Sequence, residues 1–236
     1  MAERKFPAQG KAWAEVKAAM EAAKADDSHW YSQRAFRGGS YFAGEEVTAV
    51  ANQAYQLYIN TNALFANLAF PSLVRYEADL VAMLLEMMNA PEGAIGSLTV
   101  GGTESILMAV KTARDWARDA HPQASAPEII VPRAAHPGFD KSAHLMGFTA
   151  VRLPTSVDFR ADVEAMRAAI TPNTFMLVAS APSYPYGVTD PVTEIAALAV
   201  EHGLWLHVDA CHGGFIFPSP RSSAMPSPTT TSVSPA

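Results

Sequence analysis

The 236-residue chain is 49% hydrophobic and 17% charged, enough apolar surface for a packed core and too much for a disordered polymer. Its 17 Lys and Arg against 23 Asp and Glu leave a net charge of −6, which excludes bulk electrostatic attraction to nucleic acid or to an anionic membrane. No run of 18 apolar residues occurs, so no transmembrane segment is expected, and the N-terminal MAERKFPAQGK lacks the apolar core of a signal peptide.

Three regions differ in texture. Residues 1–40 read as an N-terminal helical segment: an Ala-rich stretch over 11–25, then the polar Asp26-Asp27-Ser28 and the turn pair Gly38-Gly39. Residues 41–217 alternate helix and strand patterns. Residues 218–236 are rich in Pro, Ser and Thr, carry no periodic apolar face, and read as a disordered tail.

In the middle region, Leu73, Leu80, Leu84 and Met87 recur at helical spacing behind a Pro71-Ser72 cap. A second helix opens at Gly102-Thr103 and runs through Ile106, Val110 and Trp116 to His121. Apolar runs of strand length follow at 129–131, 148–153, 174–179 and 204–208, separated by helical patterns and without strict polar alternation, as in strands buried on both faces. Asp190-Pro191 opens the helix before the last run and Gly203 closes it. This alternation predicts an α/β fold with a mostly parallel sheet between helices. Ligands of such sheets bind beyond the carboxyl ends of the strands.

Four segments fall there. Residues 97–105 (SLTVGGTES) read as a strand entering a helix through two glycines, with either an anion site at the helix start or a plain turn capped by Thr103 or Ser105. No Gly-Lys-Ser/Thr follows, which excludes a nucleotide P-loop. His136, just past the 129–131 run, suits a flat ligand, acid–base work or a backbone bond. After the 174–179 run, Ser180 and Ser183 stand in a loop of small and hydroxyl residues that leaves room for a ligand or makes a turn. Asp209 ends the fourth run, where a charge in apolar surroundings needs donors or a cation. His207, Asp209 and His212 are metal-ligand types, but no fourth ligand has recognisable spacing, so no metal is assigned. Cys211 has no cysteine partner for an internal disulfide, which suits a reducing cytoplasm.

Together these segments resemble the fold-type I pyridoxal-5′-phosphate enzymes, in their group II decarboxylase-like branch, and within it the sphingosine-1-phosphate lyases. The likeness runs over about residues 35–217. It is carried by Gly38-Gly39-Ser40-Tyr41, by residues 61–64 and 70–72, by Gly101-Gly102-Thr103-Glu104-Ser105-Ile106, by His136-Pro137-Gly138-Phe139-Asp140-Lys141, by residues 180–187 and by His207-Val208-Asp209-Ala210-Cys211. Asn62 stands in a motif that departs from the usual Asn-Pro-Leu-His pattern.

The resemblance implies a partial large domain over 41–217 that holds pyridoxal 5′-phosphate. Gly102 and Thr103 would take the phosphate, His136 the ring face and Asp209 the pyridine nitrogen, with Ser180 nearby and Tyr41 beside the substrate; Tyr41 and His136 are the implied catalytic residues. The implied reaction is retro-aldol cleavage of a phosphorylated sphingoid base, a small phosphorylated amino alcohol, to a fatty aldehyde and phosphoethanolamine. An amino-acid decarboxylase is the alternative, and a non-catalytic remnant a second. Full-length relatives are expected to be homodimers.

One part of the pattern is missing. The family's Schiff-base lysine follows the Asp-Ala-Cys strand, yet here the last lysine is Lys141. The tail 224–235 (AMPSPTTTSVSP), read one frame over, can spell a stretch like the Phe-Asp-Phe-Arg-Val-Pro-Gly that precedes that lysine in lyases. A frameshift after Phe217, and an inactive truncated enzyme, are therefore expected.

Overall fold

The structure, a computed structural model, describes residues 9–27 and 42–216. The chain divides into two compact units, Met1–Thr61 and Asn62–Ala236. In the first, α1 (Trp13–Lys24) and α2 (Glu45–Tyr58) follow from Ala-rich, Gly- and Pro-free sequence. Glu15 in the first turn and Lys24 in the last suit the dipole of α1, and Lys11–Glu15 pairs along its surface at 2.8 Å.

The second unit opens with a 3₁₀ turn, Ala63–Phe65, whose Asn62 side chain accepts the Leu64 N–H at 3.0 Å. The short α3 (Ala66–Ala69) leads into α4 (Pro71–Met87), where Pro71 occupies the first turn and Phe70 the cap position. Ser72 thus lies inside the helix rather than capping it.

Next come α5 (Gly102–Ala120), β1 (Glu128–Pro132), α6 (Gly138–Met146), β2 (Thr149–Leu153), α7 (Val163–Ala169), β3 (Thr174–Ser180), α8 (Val192–His202) and β4 (Trp205–Asp209). All four strands are parallel, in the order β2-β1-β3-β4. Side-chain alternation sorts two cores onto the two faces. Ile130, Leu177 and Leu206 pack with Met166, Ile195 and Leu198 of α7 and α8. Ile129, Val131, Met176 and Val178 pack with Ile106 and Val110 of α5 and Phe139 of α6.

Every residue of β3 is buried, whereas β2 and β4 are only partly so. The four apolar runs look alike in sequence, but β2 and β4 form the edges of the sheet among the described residues. Burial on both faces therefore holds fully for the central strands alone.

Two local expectations need correction. Residues 97–100 form no strand. No strand takes up their amides: the Leu98 N–H goes to Glu77 at 3.1 Å and the Val100 N–H to Glu104 at 2.7 Å, and Val100 is 97% exposed. Asp190 does not cap α8 with its side chain, because that carboxylate is engaged by two other amides; Pro191 holds the cap position. Gly203 closes α8 in the left-handed conformation that a C-terminal glycine supplies (φ 65°). Among the described residues no helix is long and apolar enough to cross a membrane.

Candidate active site at the carboxyl edge of the sheet

Because the strands are parallel, Pro132, Leu153, Ser180 and Asp209 all end on one edge. Helix α5 runs antiparallel to them. Its last residues lie at the opposite edge, where His121 bonds to the Gly203 carbonyl at 3.1 Å and Trp116 meets Trp205. Its first turns reach the carboxyl edge, where a Cβ on Gly138 would stand 3.0 Å from Ile106 Cδ1.

Ser180 and Asp209 are register partners across β3 and β4, and the Asp209 carbonyl accepts the Ala181 N–H at 2.8 Å. Asp209 Oδ1 also accepts the Cys211 N–H at 3.1 Å, a short turn that fixes the carboxylate at the strand end. The Ser180 side chain is 2% exposed, and its hydroxyl has no hydrogen-bond partner. Ser183, 1% exposed, is in the same state. A buried hydroxyl without a partner is costly, and that of Ser180, register partner of the strand-end Asp209, suits a polar ligand.

The loop after β3 is tied down by Asp190. Its carboxylate, 3% exposed, accepts the Ser180 and Ala161 N–H groups, each at 2.7 Å. Burial pushes this carboxyl above its ordinary value, and the two amide donors hold it back. The same loop carries Tyr184 to within 5.8 Å of the His136 ring, centroid to centroid.

His136 is half-buried, and its Nδ1 accepts the Gly138 N–H at 3.0 Å, so the proton of the neutral ring sits on Nε2. Gly138 is required here: a Cβ would fall 2.9 Å from that Nδ1. Gly102 and Thr103, the first residues of α5, are exposed. No side chain caps the helix, and a Cβ on Gly102 would meet no atom within 4 Å. The chain itself therefore gives no packing reason for glycine at 102, at the exposed start of the helix. Ser105 bonds to Thr99 at 2.6 Å instead of capping.

His136, Ser180 and Asp209 thus share the edge that the start of α5 reaches. Tyr41 lies outside the described residues, as does the 218–236 tail. Asn62 caps a 3₁₀ turn, and Lys141 is an exposed residue of α6. His207 packs edge-on against Phe139, and burial lowers its pKa, partly offset by Asp209. No three His, Cys, Asp or Glu side chains among the described residues are grouped to hold a metal, so His207, Asp209 and His212 do not converge. Partial burial and the Asp209 charge raise the pKa of the Cys211 thiol, the opposite direction from an activated thiolate. Asp190, which ties down this loop, is a residue that sequence reasoning read only as a helix cap. An Asp before Pro reads as cap or turn chemistry, and only its burial separates it from that.

Comparison with known proteins agrees with this architecture. The model of the pyridoxal-dependent decarboxylase conserved domain matches residues 2–234. Sphingosine-1-phosphate lyase 1 of Mus musculus is 42% identical over 212 residues, covering 89% of this chain and 36% of its own length. The solved sphingosine-1-phosphate lyase of Burkholderia pseudomallei superposes with a TM-score of 0.82 at 35% identity, over 96% of this chain and 53% of its own. Lactobacillus brevis glutamate decarboxylase, at a TM-score of 0.78 and 17% identity over 94% of this chain and 53% of its own, shares the fold. The chain therefore spans between about a third and a half of the proteins it matches. It belongs to the pyridoxal-dependent decarboxylase family.

Proposed function

We propose that residues 41–217 form part of the large domain of a carbon–carbon lyase of the sphingosine-1-phosphate lyase type, with a pyridoxal 5′-phosphate site at the carboxyl edge of the sheet. The observation that carries the site is the buried, partnerless hydroxyl of Ser180, whose register partner is Asp209 at the end of β4, with that of Ser183 in the loop that follows β3. The residues fit the group. The exposed helix start at Gly102 and Thr103, where a Cβ on Gly102 would meet no atom within 4 Å, suits a phosphate. His136 offers a flat face with its ring orientation fixed by Gly138. The Asp209 carboxylate, at a strand end, suits a protonated ring nitrogen, and Ser180 supplies a hydroxyl beside it.

When bound, the cofactor draws electrons from the bond that breaks, in lyase and decarboxylase alike. The protein's part is placement. Asp209 holds the proton on the pyridine nitrogen, the α5 amides anchor the phosphate, and His136 covers the ring. Tyr41 is assigned to the substrate side. The substrate class is a phosphorylated sphingoid base, cleaved to a fatty aldehyde and phosphoethanolamine. The 42% identity to the mouse lyase favours this over an amino-acid decarboxylase.

Within these 236 residues no lysine follows Lys141, so the proposed reading is that they do not turn over substrate by themselves. A homodimer is supported by the exposed apolar side chains of Val74, Tyr76, Leu80 and Met83 along α4. Sequencing the DNA across codons 215–236 and assaying the restored frame tests the reading. Aldehyde release from a phosphorylated sphingoid base without carbon dioxide is expected. Carbon dioxide from an amino acid would favour the decarboxylase, and an in-frame gene with no downstream lysine codon would remove the frameshift.

A further inference from the structure

Arg152, near the carboxyl end of β2, turns its whole guanidinium toward one loop. Nη1 donates to the carbonyls of Pro132 at 2.9 Å, Arg133 at 3.1 Å and Ala135 at 3.0 Å. Nη2 donates to the His136 carbonyl at 3.2 Å and to Asp140 at 2.5 Å, and Nε donates to both Asp140 oxygens at 3.0 and 3.1 Å. Four carbonyls of the β1–α6 connection therefore share one cation, and a carboxylate in the first turn of α6 balances its charge. Arg152 holds that carboxyl below its ordinary value by donating to it.

The loop so fastened carries His136. Its ring is held from the other side by the Gly138 N–H on Nδ1, and that amide begins α6, the helix to which Asp140 belongs. Carbonyl clamp and ring clamp thus meet on one residue. A planar fork with five donors can serve four carbonyls and a carboxylate at once, whereas a lysine ammonium presents three donors from a single point.

We propose that Arg152 is a positioning residue. Through the carbonyls of residues 132, 133, 135 and 136 it fixes the orientation and tautomer of His136, the ring that the proposed function sets against the cofactor. The consequence for the cofactor rests on that proposed function; the clamp on His136 does not.

The test is nitrogen NMR of the full 236-residue chain with labelled histidine, comparing wild type with Arg152→Lys and Asp140→Asn. Wild-type His136 is expected to show an unprotonated Nδ1 and a protonated Nε2. In Arg152→Lys the two nitrogens should move toward the averaged shifts of a free imidazole while those of His207 stay fixed, and Asp140→Asn should shift them the same way by less. A merely structural tie between β2 and β1 would lower the melting temperature without averaging the His136 signals, and that result overturns the proposal. If Arg152→Lys fails to fold, Asp140→Asn decides by the same criterion. Pyridoxal 5′-phosphate, as probe, is expected to bind Arg152→Lys about tenfold more weakly, the equivalent of one charge-assisted hydrogen bond. Averaged His136 signals with unchanged probe affinity would uphold the clamp and overturn the role given to His136 in the proposed function.

Discussion

The Asp190 carboxylate and the Ser180 amide lie 2.7 Å apart, and the Asp190 amide returns to the Ser180 carbonyl at 3.0 Å. This reciprocal pair closes the loop that leaves β3, and the second carboxylate oxygen reaches across to Ala161. Asp190→Ala leaves two buried N–H groups without acceptors, so a loss of about 2–4 kcal/mol in a urea titration is expected. A loss within experimental error would show that water replaces the carboxylate.

The same residue makes a pH signature. Its folded pKa is raised by burial, so its contribution is complete below the unfolded value of about 3.9. That contribution is lost as pH rises through the higher folded value. Asp190→Asn should lack this fall, so the gap between the two stability curves should change over that interval. Parallel curves would contradict the direction of the shift.

Gly138→Ala tests how tightly the His136 ring is held. The new Cβ would stand 2.9 Å from Nδ1 and 3.0 Å from Ile106 Cδ1, with the latter in the core. Expected are a stability loss of about 1–3 kcal/mol from overpacking and a displaced imidazole whose NMR signals differ from wild type. Unchanged His136 signals would mean that Ile106 alone absorbs the methyl.

His207 titrates in the opposite sense to Asp190. Burial lowers its pKa, so folding favours the neutral ring: the stabilisation is present above about pH 6.5 and is lost as pH falls through the lower folded value. His207→Gln should reduce the acid-side drop in melting temperature, measured between pH 7 and 5. Phe139, wholly buried against the His207 ring, should cost about 3–5 kcal/mol when replaced by Ala.

Much of this fold is legible in the chain. The runs at 129–131 and 174–179 are continuous and apolar, so burial on both faces and parallel pairing follow from them, and Gly203 marks the end of α8 directly. The edge position of β2 and β4 is not written locally, because it depends on which strand has a neighbour. Residues 97–100 look like a strand for the same reason: their composition suits one, and only the absence of a partner decides otherwise. At the site, Ser180, His136 and Asp209 are found by their position after apolar runs. Asp190 and Arg152 are not, because their work is to bind backbone groups of other segments, and such contacts leave no spacing to read.

The central claim is a pyridoxal 5′-phosphate site held by non-covalent contacts of Asp209, His136 and the start of α5. Titrating the 236-residue chain with pyridoxal 5′-phosphate, reducing with borohydride and mapping the peptides tests it most directly. Weak saturable binding is expected, reduced about tenfold by Asp209→Asn, with label scattered over exposed lysines such as Lys11 and Lys24. Label concentrated on one lysine, or equal affinity in Asp209→Asn and wild type, would contradict the account.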